Sequence, residues 1–187
     1  MIKFTCSKAV LLALSIFFLG ISCSGDDDAN PDNPDLNIDI EVGELEAKID
    51  GETFQSTQAT GTLVSVTGGV IQSLAVFGAQ VINDPQTPVV NITFFLPTGS
   101  TIETSTYQYT NADFCDPMTS VCAVITYTTT NTNETYITNV DDTNASINIT
   151  SIDFQAGGHI AGTFSGRAGD GDGAFVNIAE GKFNVRL

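Results

Sequence analysis

A chain of 187 residues, 42% of them hydrophobic, can build one domain with a sizeable core. Its 22 acidic residues against six basic ones, a formal net charge of −16, exclude a module that holds nucleic acid or anionic lipid by surface charge. Half of the acids fall between residues 26 and 52, so much of the charge belongs to the first third of the chain.

The N-terminus reads as an export signal. Lys3 and Lys8 provide a positive start, and residues 9–20 form an apolar run without charge. From residue 9 to residue 22 a helix rising about 1.5 Å per residue reaches about 21 Å, short of a hydrocarbon core of about 30 Å. The run is therefore expected to be a signal peptide, residues 1–22, and not a membrane span.

The end of that run, Leu19-Gly20-Ile21-Ser22-Cys23, resembles a lipobox, the site where bacterial lipoproteins are acylated on cysteine and cleaved before it. Leu19 stands one place further from the cysteine than the usual leucine. The resemblance implies acyl chains on Cys23 and attachment to a membrane. Ser24-Gly25-Asp26-Asp27-Asp28 is similar to the acidic export signal of Bacteroidetes surface lipoproteins, which implies an address on the outer face of the outer membrane. The competing reading is an ordinary signal peptide followed by a solvated acidic linker. Cys6 has no apolar run before it. Residues 23–43, with Pro31, Pro34 and few apolar side chains, are expected to be a flexible acidic tether.

From Glu44 on, short alternating runs are separated by Gly, Pro, Asn and Asp, with no sustained helical period. Leu45, Ala47 and Ile49 share one face of a first strand, and Asp50-Gly51 forms a hairpin turn that needs positive φ. Further strands are predicted at residues 63–67, 71–81, 89–96, 105–109, 123–130, 145–154, 159–168, 174–179 and 182–187. In residues 145–154 the apolar parity changes from Ile147 and Ile149 to Ile152 and Phe154, so a bulge near Thr150-Ser151 would keep both pairs in the core. About ten strands predict an all-β domain over residues 44–187, an antiparallel two-sheet β-sandwich, with a closed antiparallel β-barrel as the alternative.

Gly162-Thr163-Phe164-Ser165-Gly166 and residues 176–185 resemble the C-terminal hairpin of uncharacterised small Bacteroidetes surface lipoproteins, an all-β family of unknown function. Residues 47–54 are similar to the first hairpin of the same group. These motifs are turns and core positions, so the resemblance implies placement and fold and brings no catalytic residue.

Outside the cytoplasm, with Cys23 acylated, Cys115 and Cys122 are expected to pair as a disulfide. The rival reading, a metal pair, lacks ligands, because zinc usually needs four and His159 is the only imidazole. Gly169-Asp170-Gly171-Asp172-Gly173 raises the question of calcium. As an EF-hand starting at Asp170 it would place Ala174, Phe175 and Gly181 at positions 5, 6 and 12, so a Gly-rich hairpin loop is expected, with Asp170 and Asp172 as weak metal candidates.

No nucleophile is set up by local sequence: Gly162-Thr163-Phe164-Ser165-Gly166 has its serine one place too late for a nucleophile elbow. His159 is read as a surface residue. Catalytic residues and cofactors are accordingly expected to be none, although a carboxylate pair brought together by folding stays open as a hydrolase. The four tyrosines, Tyr107, Tyr109, Tyr127 and Tyr136, crowd around the cysteine pair. They are candidates for an exposed ligand face, with cross-strand pairs stabilising the sheet as the other reading. Arg167, Lys182 and Arg186 are expected outward, paired with carboxylates such as Glu180 or Asp153, or else converging on an anion. The function expected is a non-catalytic binding or structural module for a glycan or a protein. A lipocalin-like small-molecule carrier and a carboxylate hydrolase are the alternatives.

Overall fold

The structure, a computed structural model, describes residues 38–65, 71–81, 87–97, 99–110, 115–129, 134–155 and 157–187. The expected signal peptide, Cys23 and Asp26 to Asp28 lie outside the described residues. Those described contain no helix. They form β1 (Glu44–Ile49), β2 (Glu52–Ser56), β3 (Thr60–Ser65), β4 (Ile71–Ala79), β5 (Val89–Pro97), β6 (Thr106–Thr110), β7 (Cys122–Thr128), β8 (Thr135–Ile137), β9 (Asn144–Ile152), β10 (His159–Gly169) and β11 (Phe175–Arg186).

All pairings are antiparallel and join one sheet in the order β2-β1-β11-β10-β8-β7-β5-β4-β3, while β9 runs along the first part of β10 and carries β6 on its far side. The sheet curls into a half-barrel. A Cβ on Gly78 of β4 would stand 3.2 Å from Cβ of Leu45 in β1 and 3.1 Å from that of Ser56 in β2, and one on Gly61 of β3 would meet Val185 of β11 and Leu187 just after it. Strands distant in the order thus face one another across the interior.

The alternation that predicted the strands is what fills that interior. Leu45, Ala47 and Ile49 point inward from β1; Val90, Ile92, Phe94 and Leu96 from β5; Phe183 and Val185 from β11. β1, β5 and β11 each have one apolar face, and curling is how one sheet buries it. Asp50 and Gly51 adopt φ values of 50° and 88°, the left-handed pair that a two-residue turn needs to follow the strand twist. The bulge at Thr150 is present, since Gly162 pairs with Ile149 but Ala161 with Ser151. It carries Ile152 only partly into the core, and Phe154 is exposed, contrary to expectation, because β9 ends at Ile152.

Two other expectations are corrected. The strands expected at 174–179 and 182–187 are one, β11: Glu180 takes φ 51° and bulges it, so that Phe164 pairs with Gly181 but Gly166 with Ile178. The same extra residue separates Lys182, opposite Glu46, from Ala179, opposite Lys48. Packing against the sheet also starts before Glu44. Ile40 is buried, its carbonyl accepts the Asn184 side-chain amide at 3.3 Å, and the Gly43 amide donates to the Asn184 carbonyl at 2.6 Å.

Candidate functional site

The four tyrosines do not share one exposed face. Tyr107 and Tyr109 point from β6 onto the core. The Tyr107 ring meets Phe94 edge-on at 5.7 Å, and its hydroxyl accepts from the Glu103 amide at 3.0 Å. The Tyr109 hydroxyl donates to the Val121 carbonyl at 2.7 Å, and burial first, then the neighbouring Tyr107, pushes its pKa up to about 12. Tyr127 and Tyr136 are direct cross-strand partners on β7 and β8 with rings stacked at 6.4 Å. Pairing across strands therefore accounts for Tyr127 and Tyr136, and core contact for Tyr107 and Tyr109.

That stacked pair nevertheless borders a cleft of about 370 Å³ where strand ends meet. Ile49, Phe54 and Val176, all inward residues, form its apolar wall. Asp50, Glu52, Thr53, Gln80 and Thr129 supply its polar atoms, and Pro88 completes the rim. Asp50 is fixed there by β11: its amide donates to the Asn177 carbonyl at 2.9 Å, and its carboxylate accepts the Asn177 amide at 2.8 Å. The Gln80 side-chain amide reaches the Thr53 carbonyl at 3.5 Å. Burial, and after it the charge of Asp50, raises the pKa of Tyr127. Burial also raises that of Tyr136, followed by a hydrogen bond to Glu134 and the charges of Glu134, Asp170 and Asp50. The polar members of this cleft were not singled out from sequence as functional; only Asp50 carried a signal, and it was that of a turn.

Cys115 and Cys122 lie at disulfide distance, with Cα atoms 5.7 Å apart. Asp116 shapes the loop between them: its carbonyl accepts the Thr119 and Ser120 amides, and its carboxylate accepts that of Met118 at 3.0 Å. Asp170 is likewise committed to its own loop, accepting the Asp172 and Ala174 amides at 2.8 and 3.0 Å. The Asp172 bond is the main cause of its lowered pKa. A second hollow of about 470 Å³ lies beside Gly171, Gly173, Asp141 and Asp142. Among the described residues no three His, Cys, Asp or Glu come together to hold a metal ion.

The basic residues do not converge. The Arg167 guanidinium lies 3.8 Å above the Phe175 ring, Lys182 pairs with Asp39, and Arg186 is exposed opposite His159. Arg167 faces Asn177, nine positions before Arg186, about 30 Å along a strand. The expected Glu180 partner is taken by Lys48 at 2.7 Å, because the bulge at Glu180 turns it toward β1. His159 shares a hydrogen bond of 3.1 Å with Ser151.

Fold and cleft together define an all-β domain with a small aromatic and acidic cleft at strand ends. Comparison with family models, with curated proteins and with solved structures finds no match.

Proposed function

We propose that the chain is a lipid-anchored lipoprotein of the outer membrane, facing the cell exterior, whose β-domain is a non-catalytic binding module for a glycan or a protein. The observation that carries the binding half is the end cleft, where Tyr127 borders an apolar wall under the polar atoms of Asp50, Glu52, Thr53 and Gln80. Apolar surface with a few placed polar groups is the usual make-up of a ligand site. The anchoring half rests on residues 1–28, on the acidic stretch after Cys23, and on the resemblance to small Bacteroidetes surface lipoproteins.

In this reading the curled sheet acts as a sandwich, with two inner faces closed on each other. Phe94, Phe183, Leu45, Leu74 and Ile125 are fully buried, and an interior filled by side chains favours a ligand held at the rim over one carried inside. The test offers neutral, acidic and basic oligosaccharides and envelope proteins to the purified chain and to its Gln80→Ala variant. Capture by the parent, with the captured molecule chemically unchanged, and loss of capture in the variant are expected. A glycan recovered cleaved would replace the module with a hydrolase using Asp50 and Glu52.

A further inference from the structure

The chemistry of the end cleft narrows the ligand. Among its described lining residues are two carboxylates, Asp50 and Glu52, and no Lys, Arg or His. Glu134 adds negative charge close by, its carboxylate accepting the Tyr136 hydroxyl at 3.2 Å. An anion entering here meets repulsion from Asp50, Glu52 and Glu134, and the net charge of −16 repels it from a distance. A neutral ligand gains the apolar wall and the hydrogen bonds but nothing from the field. A cation gains all three, since an aromatic ring attracts positive charge through its quadrupole and carboxylates attract it directly.

A bare metal ion fits poorly. It needs several oxygens converging on one point, and no such group of three acidic, His or Cys side chains exists among the described residues. Ile49, Phe54, Val176 and the tyrosine rings instead call for a carbon body, and about 370 Å³ lies within the range of small-molecule sites, about 300–1,000 Å³.

We infer that the cleft selects a small organic ammonium ion, its charged group between Tyr127 and the carboxylates of Asp50 and Glu52 and its carbon body on the apolar wall. A protonated amino sugar is such a molecule. The inference rests on the binding-module reading and specifies its ligand.

The test compares protonated glucosamine with glucose, which has the same ring without the ammonium group, by following the amide resonances of Thr53, Gln80 and Tyr127 in the purified full chain. Glucosamine should saturate at about tenfold lower concentration than glucose, a ratio set by the ring–cation and carboxylate contacts together. Added salt should shrink the ratio. Glu52→Gln, on an exposed side chain, should reduce it about fivefold without changing the melting temperature. Equal binding of the two sugars overturns the inference while leaving the module intact. Calcium chloride producing the same shifts at the same concentrations overturns it in favour of an inorganic cation site. Absence of a saturable response to glucosamine overturns it as well, and the module then stands or falls on capture from the panel and its loss in Gln80→Ala.

Discussion

Phe164 lies directly across the β10–β11 pair from Gly181, so close that a Cβ at residue 181 would stand 2.5 Å from the Phe164 carbonyl oxygen and 2.7 Å from its ring. The relationship is repeated one step along, where Gly162 is opposite Phe183 and its Cβ would come 2.8 Å from that ring. Each aromatic covers the strand position that the facing glycine leaves bare, and the two rings meet at 6.2 Å. Gly181→Ala should therefore destabilise the domain by about 1–3 kcal/mol through overpacking. Phe183→Ala, which empties a fully buried site, should cost about 3–5 kcal/mol. Urea unfolding followed by circular dichroism measures both, and an unchanged midpoint for either would mean that these faces do not meet as described.

Closing the short loop between Cys115 and Cys122 stabilises the domain mainly by restricting the unfolded chain, by about 2.5 kcal/mol on the chain-entropy model. Reduction should lower the unfolding midpoint accordingly and raise the intact mass by two hydrogens. A domain equally stable with and without reductant would show the bond to be structurally idle.

Tyr109 makes alkaline stability informative. Its pKa in the folded chain is about 12, above the ordinary 10.0, because burial disfavours the phenolate. The folded chain keeps a proton that the unfolded chain has lost, so this contribution is whole below pH 10 and disappears as pH rises through about 12. Tyr109→Phe should flatten the fall in stability over that interval and diminish the late phase of tyrosinate absorbance, to which the raised Tyr127 and Tyr136 also contribute. A late phase of unchanged size in the variant would assign it elsewhere.

The anchoring half of the proposal predicts two separable losses. Each buried methylene of an acyl chain contributes about 0.8 kcal/mol, so two or more long chains hold a protein firmly where one does not. Cys23→Ala should move the protein to the soluble fraction. Replacing Asp26, Asp27 and Asp28 with Ala should leave it with membranes but shield it from protease added to intact cells, because charges beside an anchor act as an address and not as an adhesive. Wild-type protein already resistant to external protease would refute surface display alone.

Much of the strand content was readable from local order, because alternation along a strand depends only on which neighbours share a face. Leu45, Ala47 and Ile49 in β1 and Phe183 and Val185 in β11 turn inward as their spacing requires. Asp50-Gly51 takes the left-handed turn that its residue types allow, and Thr150 takes up the parity change between Ile149 and Ile152. The cysteine pairing followed from the spacing of the two residues and their expected compartment. Tertiary structure decided what depends on residues far apart in the chain. Glu180 bulges β11 against both β1 and β10, which no local pattern announces, and so joins two expected strands into one. The curl of the sheet brings the Asp50 turn, Gln80, Tyr127 and Tyr136 around one cleft from four separate stretches. Their meeting is set by register and by how buried faces close on each other, and neither is written in the order of neighbouring residues.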